Sequence, residues 1–152
     1  MIDHQAICET VYRYGYALDT SDWALYRSVF ADEVDFDFST YSGRPLVRMR
    51  AEDLVASAAT LFAGFAATQH TMTNPLVSID GDRGRCSMYI EAAHSVDPDP
   101  GAPWFVMGGH YEDKLIRHNG AWLLDAVTMK LRWTRGDRSI MRTAAQRGKA
   151  SL

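Results

Sequence analysis

Asp19 and His70 are two residues of this 152-residue sequence that could together form a proton-transfer site. An imidazole titrates near neutral pH, and a carboxylate on one ring nitrogen fixes its tautomer, so that the other nitrogen can accept a proton. The spacing by itself does not bring the two residues together. On the residues alone, the alternative is that Asp19 caps the next helix or lies in a turn and that His70 is a core histidine.

Three further side chains could assist such a pair. Tyr14 lies on the apolar stripe of a predicted helix, so its buried phenol needs a hydrogen-bond partner, either a substrate oxygen or the backbone. His94 and His110 lie on different predicted strands and, with His70, suggest a three-histidine metal site. Zinc sites usually contain closely spaced ligand pairs, and no pair of histidines with the spacing His-x-His or His-x-x-x-His occurs in this sequence. We therefore predict a site without a metal or an organic cofactor.

Other polar and large apolar residues are candidates for contact with a ligand. Asn74 follows His70 by four residues, so in a regular strand it would face the same side as Met72; the alternative is an asparagine that ends the strand. Large apolar residues are most often core, but several could line a pocket. The predicted substrate-binding set is His94, Asn74, Met72, Trp23, Tyr26, Phe38, His110 and Trp133.

Helices are predicted in the first half of the chain. Apolar residues at helical spacing predict a helix over 3–18 and a second one over Trp23–Phe30, with Ser21 or Asp22 as its cap. An alanine- and leucine-rich segment predicts a third helix over 51–65. These helices are expected to cover a sheet.

Strands are predicted from Val34 onward, where apolar and polar residues alternate until Gly43 and Pro45 interrupt the pattern. Asn119-Gly120 between the last two strand-like runs is a strong hairpin signal. We predict an α+β fold, with a cone-shaped, strongly curved antiparallel sheet wrapped by about three helices around an apolar pocket. The four later runs cover 69–79, 84–96, 103–117 and 121–133.

Short motifs occur in a recognisable order along this framework: Tyr14-Gly15-Tyr16-Ala17-Leu18-Asp19, then Thr68-Gln69-His70, Gly109-His110-Tyr111-Glu112-Asp113 and Asn119-Gly120-Ala121-Trp122. Together they resemble the SnoaL-like family of the nuclear transport factor 2-like and ketosteroid isomerase superfamily, which includes enzymes of the scytalone dehydratase and bile acid 7α-dehydratase type. The resemblance covers about residues 5–135. It implies a curved sheet wrapped by three helices around an apolar pocket.

The resemblance also implies site residues. The Asp–His pair of the dehydratases matches Asp19 and His70, and a tyrosine that several of them place five residues before the aspartate matches Tyr14. His94 occupies the place of a second pocket histidine in scytalone dehydratase. That enzyme has tyrosines where this chain has Leu18 and Phe38.

The implied function is a cofactor-independent, dehydratase-like lyase or isomerase acting on a small, mostly apolar cyclic or polycyclic molecule. His70 would remove a proton, Asp19 would stabilise the imidazolium, and Tyr14 or His94 would polarise a carbonyl or assist a leaving group. The alternative is a non-catalytic ligand-binding or assembly subunit of the same fold, such as the small subunit of a ring-hydroxylating dioxygenase.

Composition limits the partners. The chain contains 16 Lys and Arg against 19 Asp and Glu, for a formal net charge of −3, without a long basic run. We therefore expect no nucleic-acid partner. No apolar stretch is long enough for a signal peptide or a membrane span, so we expect no membrane association. Two cysteines without ligand spacing favour a reduced compartment, and we predict a cytoplasmic location.

Assembly is predicted from the aromatic residues of the strands. Trp104, Phe105, Trp122 and Trp133 would leave an apolar patch on the outer sheet face that is too large for a soluble monomer. We therefore predict a homo-oligomer; the resemblance favours a trimer, with a dimer next. Residues 136–152 are predicted as a basic C-terminal tail after a domain over 1–135. Basic residues at helical spacing from Arg132 to Lys149 indicate a solvated face or a subunit contact, with anion binding as the alternative.

Overall fold

The computed structural model describes residues 2–151 and contains five helices and six strands. In chain order these elements are α1 (Ile2–Thr20), α2 (Trp23–Ser28), β1 (Phe30–Asp37), α3 (Ser39–Ser42), β2 (Val47–Arg50), α4 (Ala51–Phe62), β3 (Ala67–Asp80), β4 (Arg83–Ser95), β5 (Phe105–His118), β6 (Ala121–Gly136) and α5 (Ser139–Ala150). The α+β prediction is confirmed.

The six strands form one curved, unclosed sheet in the order β2-β1-β6-β5-β4-β3. Strands β3 to β6 pair as the predicted antiparallel meander. The pair β1–β6 is parallel, which departs from the wholly antiparallel prediction. These two strands are distant in sequence and joined by no hairpin, so turn geometry does not dictate their direction.

Two predicted helix ends are wrong. Phe30 does not end the second helix but begins β1, where it is paired with Leu124 of β6. The third predicted helix, α4, ends at Phe62 rather than at residue 65. Just beyond this end, the backbone of Gly64 packs directly against the Ala144 carbonyl of α5 and leaves no room for a side chain.

Two helices, α3 and α5, exceed the predicted number of about three. The basic segment after residue 135 forms α5, which buries Ile140, Ala144 and Gly148 at four-residue spacing. Its backbone at Gly148 touches the Thr60 carbonyl of α4. Ile140 is the one large side chain in this stripe, and Ala144 and Gly148 are small, so the stripe was not evident from the sequence.

The core lies between the helices and the inner face of the sheet. The predicted stripe of α1 is buried, with Ile7 and Val11 wholly inaccessible. Phe105 and Trp122 are also core residues, 1% and 3% exposed, because they point inward from β5 and β6. Of the four aromatic residues assigned to an outer patch, only Trp104 and Trp133 remain exposed. No helix among residues 2–151 has the length and apolar character needed to cross a membrane.

Candidate active site

The last turn of α1 and the start of β3 bring Asp19 and His70 into direct contact. Oδ1 of Asp19 lies 2.7 Å from Nδ1 of His70 and accepts a hydrogen bond from the Thr68 hydroxyl at 2.8 Å. Oδ2 of Asp19 accepts from the backbone N–H of His70 at 2.7 Å. The carboxylate therefore receives three donors from one strand.

A different aspartate, Asp22, caps α2. The side chain of Asp22 accepts a hydrogen bond from the backbone N–H of Leu25 at 2.9 Å. The alternative in which Asp19 caps this helix is therefore wrong. Asp19 instead accepts hydrogen bonds from residues of β3.

The environment of Asp19 keeps its carboxyl ionised. Burial alone would raise the pKa of Asp19, but hydrogen bonds from the His70 ring, the His70 backbone and Thr68, together with the charge of His70, outweigh burial and lower it. Because an ionised carboxylate only accepts hydrogen bonds, Nδ1 of His70 must carry the hydrogen. The other ring nitrogen, Nε2, is then free to accept a proton.

His94 stands beside this pair. Its ring centroid lies 5.9 Å from that of His70, with the two planes nearly perpendicular at 84°. Burial, together with repulsion from the His70 ring when that ring is protonated, lowers the pKa of His94 to about 4, so the His94 ring is neutral at pH 7. The Nδ1 atom of His94 is buried and has no hydrogen-bond partner among residues 2–151.

Three tyrosines meet on the wall next to these histidines. The ring centroid of Tyr14 lies 5.4 Å from that of Tyr26 and 5.8 Å from that of Tyr111. Burial raises the pKa of each phenol above its ordinary value, and the phenols influence one another. At neutral pH all three are therefore uncharged groups that can each donate one hydrogen bond.

These groups border a cavity of about 460 Å³ between the helices and the inner face of the sheet. The cavity wall is mainly apolar, with side chains such as Leu18, Phe62, Ile90 and Met107. A cavity of this size and lining suits a small apolar molecule. Five of the predicted site residues line it: Tyr14, His70, His94, Tyr26 and Phe38.

Two predicted substrate-binding residues lie behind the cavity wall. Trp23 packs edge-on against Tyr26 and Phe62, with ring centroids 6.0 Å and 6.3 Å away. Met72 does face α1, as His70 does, but its sulfur lies beside Gly15, only 2.8 Å from where a Cβ on that glycine would stand. Both side chains support the wall without lining the cavity.

Asn74 does not face the cavity. The β3–β4 register shifts between Thr73 and Leu76, and Asn74 takes a left-handed φ of 55° and is exposed. The expectation that Asn74 shares the His70 face is wrong, because this bulge interrupts the alternation of side chains.

His110 and Trp133 lie on the opposite face of the sheet. Tyr111 lines the cavity, so its neighbour His110 points outward, where Nε2 lies 3.2 Å from Glu112. Trp133 covers the backbone of Gly108 on the outer face. The three predicted histidines therefore do not converge, and no group of three metal-ligating side chains forms among residues 2–151.

Several residues that line the cavity were not predicted from the sequence. Alternation along β5 from Phe105 and Met107 would have pointed Tyr111 inward. Arg44 and Met49 lie around the predicted break at Gly43 and Pro45, and no pattern marked them. Met141 lies in the segment that was predicted as a tail. The cavity lining includes Tyr111, Arg44, Met49 and Met141.

Comparison with known proteins identifies relatives along most of the chain. A family model described as the SnoaL-like domain matches residues 1–128. Terrestric acid biosynthesis cluster protein E of Penicillium crustosum is 25% identical over 141 residues, covering 89% of this chain and 86% of that protein.

Solved structures share the fold. The Kfla4162 protein from Kribbella flavida superposes with a TM-score of 0.84 at 25% identity, covering 94% of this chain and 97% of that chain. A candidate scytalone dehydratase from Novosphingobium aromaticivorans gives a TM-score of 0.75 at 16% identity, covering 89% and 91% of the two chains. At 16% identity the likeness shows the fold alone.

Proposed function

Because the chain belongs to the SnoaL-like domain family, we propose that it is a cofactor-independent lyase or isomerase of the dehydratase type. One observation carries the proposal: the 2.7 Å contact between Asp19 and His70 lies at the wall of an apolar cavity of about 460 Å³. The substrate is a small, mostly apolar cyclic or polycyclic molecule. A structural relative described as a candidate scytalone dehydratase is in keeping with this reaction class.

The reaction begins with proton removal by His70. Nε2 takes a proton from a carbon beside an activating group such as a carbonyl, and the electrons of the broken C–H bond pass into that group. In an elimination they then form a C=C bond as a neighbouring hydroxide departs with its own bonding pair. The proton on His70 passes to the hydroxide to form water, which restores the neutral ring. Asp19 stabilises the imidazolium in the interval.

Neutral donors complete the proposed chemistry. The Tyr14 phenol and the neutral His94 ring both line the cavity and can each donate a hydrogen bond to an oxygen that gains negative charge. In a largely apolar cavity such a bond is stronger than in water, so it stabilises the enolate-like state. Asp19 acts through His70 and is a positioning residue, because it does not itself line the cavity.

The alternative of a non-catalytic assembly subunit predicts an interior filled by side chains. The cavity and its paired Asp19 and His70 favour catalysis over that alternative.

The test is proton abstraction itself, which needs no knowledge of the leaving group. A panel of cyclic ketones is incubated with the protein in D₂O, and exchange at the carbon beside the carbonyl is followed by NMR. His70→Asn should lower the exchange rate by about 10²–10⁴-fold. His110→Asn is the matched control, because this histidine lies on the outer face, and it should leave the rate unchanged. Full exchange activity in a folded His70→Asn protein would refute the proposal.

A further inference from the structure

Arg44 is the one residue with a permanent charge among the described side chains that line the cavity. The others are apolar, hydroxyl-bearing or histidine. Arg44, Pro45 and Val47 are exposed and form the mouth, whereas His70 and His94 are buried at the inner end. The cavity therefore has a cationic mouth and a proton-transfer site inside.

The neighbouring arginines form ion pairs with carboxylates, whereas Arg44 forms none within residues 2–151. Arg48 contacts Glu33 at 3.0 Å and Asp35 at 2.9 Å, and Arg50 lies 3.5 Å from Glu52. Within residues 2–151 no carboxylate lies within 4.0 Å of the Arg44 guanidinium. A guanidinium offers parallel N–H donors that match a carboxylate, and these donors are available at the mouth.

The backbone holds Arg44 in place. Gly43 ends α3 with a left-handed φ of 71°, and the Arg44 N–H donates to the Ser42 hydroxyl at 3.1 Å. Pro45 fixes the next φ angle. The turn thus fixes the point at which the Arg44 side chain leaves the backbone beside the cavity.

The mouth is also bordered by two arginines, Arg138 just before α5 and Arg142 within it. Arg138 and Arg142 line a second hollow, which shares Tyr41 and Met141 with the cavity. Arg138 is held over the Tyr41 ring at 4.8 Å, and the charge of Arg142 is partly offset by the nearby Asp137. The protein has a net charge of −3, but these arginines give the mouth a local positive charge that attracts anions.

We propose that the natural ligand is an organic carboxylate, with its apolar ring in the cavity and its carboxylate paired with Arg44 at the mouth. The expectation that the ligand's ring points toward His70 rests on the proposed function. Recognition of the carboxylate by Arg44 is independent of that function. The ion pair selects acids over neutral molecules of the same shape.

The test compares 2-naphthoate with 2-naphthalenemethanol, which has the same ring and no charge. By isothermal titration calorimetry, the wild-type protein should bind the acid about twofold to fivefold more tightly, a modest factor because Arg44 is exposed to water. The preference should shrink as sodium chloride is raised. Arg44→Gln should abolish it while changing the affinity for the alcohol by less than about twofold.

Arg85→Gln is the matched control, because Arg85 is an exposed β4 arginine that makes no ion pair among residues 2–151 and lies outside this cavity. It should keep the wild-type preference. Equal affinity of the wild type for both probes, no binding of naphthoate at millimolar concentration, or a preference that survives Arg44→Gln would overturn the inference. The exchange assay uses neutral cyclic ketones and does not depend on Arg44, so a failure of the catalytic proposal is seen there, separately from the acid preference measured by calorimetry.

Discussion

Replacing Asp19 by Asn tests the geometry of the Asp–His pair, because an amide cannot satisfy the three donors as the carboxylate does. The oxygens of Asp19 face the His70 backbone N–H on one side and the His70 ring with the Thr68 hydroxyl on the other. An amide nitrogen facing the backbone N–H would leave two donors in conflict. The side-chain amide in the Asp19→Asn protein should therefore turn its nitrogen toward the His70 ring.

This orientation changes the tautomer of His70. Nδ1 must then accept a hydrogen bond, so the ring hydrogen moves to Nε2 and the basic nitrogen facing the substrate is lost. The proton-transfer rate should fall by about 10²–10⁴-fold. The Thr68 hydroxyl can rotate to accept, and every polar group keeps a partner, so the stability loss should be only about 1–2 kcal/mol.

The tautomer is read directly from ¹⁵N-histidine NMR, with the His70 signals assigned by their absence from His70→Asn. The wild-type protein should show hydrogen on Nδ1 and Asp19→Asn should show it on Nε2. Thr68→Val is the matched control, because it removes one donor to Asp19 and leaves the His70 contacts. It should keep the wild-type tautomer. An Asp19→Asn protein with hydrogen on Nδ1 and full exchange activity would refute the reasoning.

Two further outcomes are expected. Gly15→Ala would place a Cβ 2.8 Å from the Met72 sulfur and 3.2 Å from His70 Cβ, so an overpacking cost of about 1–3 kcal/mol should exceed the gain in helix propensity of about 0.5–1 kcal/mol. Thermal denaturation should show a lower melting temperature for Gly15→Ala, and the decrease should be smaller when the same substitution is made in a Met72→Ala protein. An unchanged melting temperature of Gly15→Ala would contradict the reasoning. The pKa of about 4 for buried His94 lies below its unfolded value, so the stability that His94 contributes should fall by about 2 kcal/mol from pH 6.5 to pH 4.5. The unfolding free energy of His94→Phe, measured with urea over the same pH range, should lack this loss. An identical dependence of unfolding free energy on pH in the two proteins would count against the reasoning.

The strands were the most predictable part of the fold. Side-chain alternation and Asn119-Gly120 are local signals, and they placed β3 to β6 within a few residues of their observed bounds. The bulge at Asn74 was not predictable, because it depends on how β3 pairs with β4 rather than on the sequence of β3 alone. The pairing of β1 with β6 likewise depends on tertiary packing.

The site was predictable only through its resemblance to a family. Residue types identified Asp19 and His70 as capable of proton transfer, but 51 positions separate them, and packing of α1 against β3 makes the contact. The same limit explains why Phe105 and Trp122 were assigned to the outer face although both are buried. The homo-oligomer, as a trimer or dimer, stays a prediction.

The last helix, α5, contributes one side chain to the cavity wall, and this side chain can be exchanged without displacing the helix. The family model ends at residue 128, whereas Met141 on α5 lines the cavity. The helix is docked on α4 through backbone contacts at Gly64 and Gly148, so its position does not depend on the side chain that it presents to the ligand. A substitution at position 141 can therefore change the shape of the cavity without moving the Asp19–His70 pair, which lies on α1 and β3.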